Sequence, residues 1–202
     1  MTDSNKSDGV KWNFNAKVEK YSPELVAVLT EKLGYEPVAA DFARLGTLPD
    51  DGTVVVPGNA TVNLGLANLT NLFIGGGGNA FSSAKAIVGV GATNTAVTGT
   101  QIALAGDTSS STAWYQAPAT PTRTTDATIA NNTVQAVTTF ATGDANFVWN
   151  EWCWAAAASG TVTAGATLAS VATGVVMLNR KVAAVGTKLS GVWVFTTSVT
   201  FS

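Results

Sequence analysis

The chain has 202 residues, 46% of them hydrophobic and 12% charged, with a formal net charge of −2 and no histidine. That length can bury a genuine core, while the charge offers no basic footprint for neutralising phosphates and so weighs against nucleic-acid binding. Without imidazole the commonest general base, the usual catalytic triad and most transition-metal sites are missing.

Charge is unevenly spread: 15 of the 24 charged residues fall in residues 1–52 and nine in the remainder. The shift predicts an architectural break near Gly52. We accordingly expect residues 1–58 to form an N-terminal arm with a helical docking segment, and residues 59–202 a β-sandwich domain with a leading helix. The opening MTDSNKSDG lacks the basic and apolar regions of a secretory signal, and no run of 18 apolar residues could span a bilayer. A soluble protein made in the cytoplasm is expected. Residues 1–21 carry Trp12, Phe14, Val18 and Tyr21 in a polar context, too many large apolar groups for a tail and too few for a core. They predict an arm lying on another surface, whose deletion leaves a soluble β domain but abolishes incorporation into an assembly.

Ser22 reads as an N-cap, with Pro23 in the first helical position and Glu24 at the positive end of the dipole. Leu25, Val28, Leu29 and Leu33 recur at helical spacing before Gly34, so a helix is predicted over Pro23 to Leu33. A shorter helical turn follows from Pro37 to Leu45, with Phe42 on its apolar side and Gly46 as its stop. Thr53 to Val56 is a brief β-branched run. Asn59 or Thr61 would then cap a helix bearing Leu64, Leu69, Leu72 and Phe73 and ending in Gly75 to Gly78.

From Ala84 onward, β-branched and aromatic runs alternate with turn-forming clusters: Ile87 to Val90, Thr112 to Gln116, Thr133 to Ala141, Phe147 to Ala155, Gly174 to Val182 and Gly191 to Phe201. This rhythm predicts a mainly β fold, an antiparallel β-sandwich or jelly-roll-like domain. In the last run Trp193, Phe195, Val199 and Phe201 alternate with Val192, Val194, Thr196, Ser198 and Thr200, as a strand's period of two requires. Strict alternation around Glu151 would set Phe147, Trp149, Glu151 and Cys153 on one face, and Val148, Asn150, Trp152 and Trp154 on the other. Both faces would then carry tryptophan and need cover, one from the opposing sheet and one from the early helices or a neighbouring subunit. Tryptophan suits an interface. The candidate core or contact residues are Trp12, Phe14, Leu25, Leu29, Phe42, Trp149, Trp152 and Trp193.

Chemistry would have to rest on carboxylates, and after residue 52 only Asp107, Asp126, Asp144 and Glu151 remain. Asp144, in TGDAN, reads as a turn residue bonding its own backbone. Glu151 needs a partner if buried, and Arg180 or Lys181 would serve as a structural ion pair. A glycosidase needs a second acid at a set separation, and none is recognisable. Gly89-Val90-Gly91-Ala92-Thr93-Asn94 begins like a dinucleotide fingerprint but lacks the third glycine and a following helix. Cys153, the single cysteine, reads as a small buried apolar residue. No catalytic residue, cofactor or metal site is expected.

Four segments, GGGGNAF (Gly75 to Phe81), AIVGVGATNTA (Ala86 to Ala96), TTFATGDANFVWNEW (Thr138 to Trp152) and LNRKVAAVGTKLSGVW (Leu178 to Trp193), resemble the β-rich surface proteins of tailed bacteriophage virions. The resemblance covers roughly Ile74 to Ser202. It implies a virion structural protein and no enzyme: a capsid decoration or minor capsid protein, bound to the major capsid protein or another virion protein and to its own copies as a homotrimer. An alternative places the fold on a tail fibre or baseplate, touching a host surface glycan. The loops Gly106 to Ser111 and Ala117 to Asn132, with Trp114 or Tyr115 exposed beside them, would make that contact.

Overall fold

The chain folds, in the computed structural model, as two antiparallel sheets packed face to face. The structure describes residues 12–58, 60–82, 85–125, 132–159 and 161–201. One sheet orders its strands as β2 (Thr53–Pro57), β1 (Trp12–Tyr21), β10 (Val192–Phe201), β7 (Asn132–Phe140) and β6 (Ala119–Thr125). The other runs β3 (Ala60–Thr61), β9 (Val176–Thr187), β8 (Val148–Ala156), β4 (Ala86–Gly91) and β5 (Ala113–Gln116). The fold is a β-sandwich, and every strand pairing in it is antiparallel.

The signals for the first helix act as expected. Helix α1 (Pro23–Leu33) starts at Ser22, whose Oγ accepts from the Leu25 N–H at 3.2 Å, and ends at Gly34 in the left-handed conformation. Helix α2 (Ala39–Leu45) begins two residues later than predicted, because Asp41 reaches back to accept from the Val38 N–H at 3.2 Å and so fixes the first turn there. Both helices lie on the outer face of the first sheet, where Val26, Leu29 and Phe42 pack with Tyr21, Val192 and Val194. Tyr21 stacks flat on Phe42 with ring centroids 3.6 Å apart.

Two features of the N-terminal segment differ from expectation. The segment 12–21 is no arm: it is a ten-residue strand paired along its length with β10 on one side and with β2 on the other. Alternation explains this, since Phe14, Ala16 and Val18 point into the sandwich while the intervening residues are polar, a period the short apolar count obscured. Residues 1–58 therefore do not form a separate docking unit, because β1 and β2 are integral to a sheet completed by β10, β7 and β6. Trp12 pairs with Phe201 through its backbone; its side chain, and residues 1–11 of the expected arm, lie outside the described residues.

The aromatic core sits between the sheets. Trp149, Trp152, Trp154 and Trp193 are all buried there, with Trp149 edge-on to Trp193 at 4.8 Å and Trp152 edge-on to Phe195 at 5.6 Å. Strict alternation would have placed Trp149 opposite Trp152 and Trp154. The register of β8 against β9 instead shifts between Trp149, opposite Gly186, and Glu151, opposite Val182. Such a bulge resets the phase of the strand, so all three tryptophans face inward and Glu151 and Cys153 face outward. The second cover that two tryptophan-bearing faces would have needed is not needed for tryptophan at all.

The outer face of the second sheet is closed by the chain's own loops and by α4 (Leu168–Val171). Ile87, Tyr115, Cys153, Ala155 and Met177 pack there against Leu104, Leu168 and Val171. Segment 119–125, read as part of a long loop, is edge strand β6, and residues 126–131 of that predicted loop lie outside the described residues.

Candidate functional site

The largest concentration of polar chemistry lies on the outer face of the second sheet, around the fully buried pair Glu151 and Arg180. Glu151 Oε2 accepts from Arg180 Nε at 2.5 Å and from the Ala105 N–H at 3.1 Å, while Oε1 accepts from Thr93 Oγ1 at 2.6 Å and the Gly106 N–H at 3.0 Å. The guanidinium also donates to Gln101 Oε1 at 3.0 Å and the Thr95 carbonyl at 2.9 Å. Both carboxylate oxygens are thus committed, and the pair ties the segment 93–106 to the sheet. Lys181, the other expected partner, neighbours Trp152 in the pairing and is not in the ion pair.

The incomplete dinucleotide fingerprint has a packing explanation. A β-carbon on Gly91 would lie 2.5 Å from Glu151 Oε1, and one on Gly89 would lie 2.5 Å from the Tyr115 ring. The small residues of β4 exist to let Tyr115 and Glu151 cross over them. Burial pushes the Cys153 thiol well above its ordinary value, with Glu151 and Asp107 adding to the effect, so this cysteine is an unreactive core residue. Asp107, raised by burial, accepts from the Leu168 N–H at 2.9 Å and holds the start of α4.

Asp144 is a turn residue: its N–H donates to the Ala141 carbonyl at 3.0 Å, and its carboxylate accepts from the Ala141 N–H at 3.2 Å. Beneath this turn the buried Lys188 ammonium donates to the carbonyls of Ala141 and Asp144 at 2.7 and 2.9 Å and to Asn146 Oδ1 at 2.9 Å. Burial pushes its pKa from 10.5 down to about 8, opposed by the Asp144 and Glu36 carboxylates. Between those two values the unfolded chain binds more protons than the folded one, so this group makes stability rise with pH. The cost of the charged form is fully present below about pH 8. Urea midpoints measured from pH 8 to 10 are expected to rise in the native chain relative to Lys188→Met, in which the rise disappears.

Of the residues named as core or contact, those whose side chains are described belong to the core. Phe14, Leu29, Phe42, Trp149, Trp152 and Trp193 are buried within one chain, and Leu25 packs half-buried against the helical cluster. None of these seven has the exposure that a contact with another molecule requires. The aromatic pair proposed for glycan contact is likewise engaged: Tyr115 is buried and its hydroxyl accepts from the Leu104 N–H, while half-buried Trp114 packs on the core and donates to Gln116. Three surface hollows of about 410, 490 and 430 Å³ are open and shallow, and only the first touches Asp107. Among the described residues no group of three His, Cys, Asp or Glu side chains lies together as a metal-ligand set. No helix there is long and apolar enough to cross a membrane.

What the surface does present is helix α3 (Asn63–Phe73). Its inward positions are Gly65 and Asn68. A β-carbon on Gly65 would lie 2.2 Å from the Leu178 carbonyl oxygen, so the helix backbone rests directly on β9. Asn68 is bonded through both ends of its amide to the backbone of Asn79, at 2.6 and 3.0 Å, and Asn79 Nδ2 donates to the carbonyls of Ala156 and Gly174. Phe81 then stacks on Trp154. These contacts hold the helix and the following glycine turn in place while leaving Leu66, Phe73 and Ile74 outward, at 55%, 94% and 74% exposure. The sequence signalled the helix, but neither of its expected caps starts it: Val62 is the N-cap and makes no side-chain cap bond. Gly65 faces inward because the backbone of β9 leaves no room for a side chain, and Asn68 because its amide bonds the Asn79 backbone.

The class defined by these features is an antiparallel β-sandwich with an aromatic core, a buried ion pair on the outer face of one sheet and a helix whose apolar side chains are exposed. Comparison with protein-family models, curated proteins and solved structures returns no match to the chain.

Proposed function

We propose that this protein is a structural component of a bacteriophage virion, most specifically a capsid decoration or minor capsid protein that stabilises the particle through apolar contacts. The carrying observation is the contrast on its surface. Glu151, the one acid set in the aromatic strand, is buried with both oxygens occupied, whereas α3 exposes large apolar side chains to solvent. Surface of that kind marks an interaction site, and a protein that adheres needs no reacting group. The segments resembling phage surface proteins supply the setting: the virion, with the protein made in the host bacterial cytoplasm. On this reading its partners are further copies of itself, as a trimer, and the major capsid protein or another virion protein.

Contact with the lattice belongs to exposed surface and not to the buried tryptophans. Burial there contributes about 25 cal/mol per Å² before association costs. Density maps of intact particles, compared with particles lacking this protein, test the reading. Density on the capsid, with earlier thermal rupture of the deficient particles, is expected. Density confined to the tail tip, with adsorption blocked by free protein, would move the fold to the tail reading. Glycan or small-molecule turnover by the purified chain would overturn both.

A further inference from the structure

Helix α3 carries an apolar stripe that its own fold does not use. Leu66, Ala67, Thr70, Phe73 and Ile74 follow the spacing i, i+1, i+4, i+7, i+8, which places them on one flank of a helix, and all five are exposed. The opposite side is the one that rests on β9 through Gly65. The inner side is glycine and asparagine and the apolar side is the one left uncovered, the reverse of a surface helix that turns its apolar stripe toward its own core. Five such positions leave on the order of 500 Å² of largely apolar surface, at the upper end for the largest patch on a monomer and over half of what one partner contributes to a stable interface.

The chemistry of the patch selects its occupant. Residues 53–84 contain no charged side chain, so an oppositely charged partner finds nothing to pair with. A lipid surface is disfavoured for the same reason, because interfacial helices use flanking Lys and Arg. The polar groups beside the stripe are Asn63, Asn71 and Thr70. An amide both donates and accepts and is therefore complementary to a copy of itself, and the Thr70 hydroxyl is already spent on the Leu66 carbonyl at 3.0 Å. An uncharged, apolar and self-complementary face meets its own image without repulsion, as a symmetric contact demands. We propose that the outer stripe of α3 is a self-association surface, packing against α3 of a second copy of this chain. The inference rests on the assembly reading above and differs from it in one respect: a self-complementary contact pairs copies two by two, where that reading has a trimer.

Sedimentation velocity on the full chain provides the test, using a Leu66→Glu/Phe73→Glu variant, a Leu66→Lys/Phe73→Lys variant and their mixture. The native chain is expected to sediment as an oligomer, each charged variant as a monomer with unchanged far-UV circular dichroism, and the mixture as an oligomer again. A native chain that stays monomeric, or an oligomer that persists in both variants, would overturn the proposal. Should the charged variants fail to fold, Thr70→Cys decides. The native Cys153 is buried, so mild oxidation should yield a disulfide-linked dimer through position 70, and its absence counts against the contact. Free protein that is monomeric yet still incorporates into particles would sink this inference while leaving the assembly reading intact.

Discussion

Replacing Glu151 by alanine is expected to destabilise the protein by about 3–5 kcal/mol, the cost of stranding one member of a buried ion pair. Arg180 is fully buried and would lose its only carboxylate partner among the described residues. The N–H groups of Ala105 and Gly106 would lose their acceptor as well. Measured against the roughly 5–15 kcal/mol by which domains are stable, this is a large share. Denaturant titration reads the loss, and hydrogen exchange should show it concentrated in residues 93–106. The double replacement Glu151→Leu/Arg180→Met should recover part of it, since two well-packed apolar groups leave no charge behind. A Glu151→Ala chain within about 1 kcal/mol of the native one, a cost typical of an exposed pair, would mean that the pair is not sealed from water.

Deleting residues 1–21 should abolish cooperative folding. The deletion removes β1 from between β2 and β10, strips Phe14, Ala16 and Val18 from the aromatic core, and removes Tyr21 from beneath Phe42. Fully burying a side chain of the Val or Phe kind contributes about 1.5–3 kcal/mol, so the sum of these losses rivals the whole stability. Strand β10 would also be left with an unpaired edge, a template for aggregation. The truncated chain is expected to be insoluble or to show no sigmoidal thermal transition by circular dichroism. A soluble truncated chain with a sharp melt would show that β1 is dispensable, as a simple arm would be.

These two cases mark where local pattern suffices and where it fails. Ser22, Pro23 and Gly34 delimit α1 to the residue, because capping chemistry acts within one turn and needs no knowledge of the remainder. Strands β4, β5, β7, β8, β9 and β10 were legible from β-branched and aromatic runs between turn residues, with ends shifted by a few residues. The pairing of Glu151 with Arg180 was anticipated by the cost of burying an acid alone, although Lys181 was an equal candidate until the pairing register placed Arg180 opposite Cys153. Strand β1 escaped notice because its charges, Lys17, Glu19 and Lys20, dominate the composition, while its small apolar set shows only as alternation.

Composition and local pattern thus determined the class of fold, the first helix, most strands and the need for a partner at Glu151, each a consequence of forces acting over a few residues. Tertiary structure alone decided the rest. A bulge opposite Asn150 reversed the phase of β8 and drew every tryptophan of that strand into one core. The place of β1 inside a sheet depends on β10, some 180 residues further along. The contact of Gly65 with the backbone of β9 turned the apolar stripe of α3 outward. Register and close approach are set between segments distant in sequence, and no periodicity within one segment carries that information.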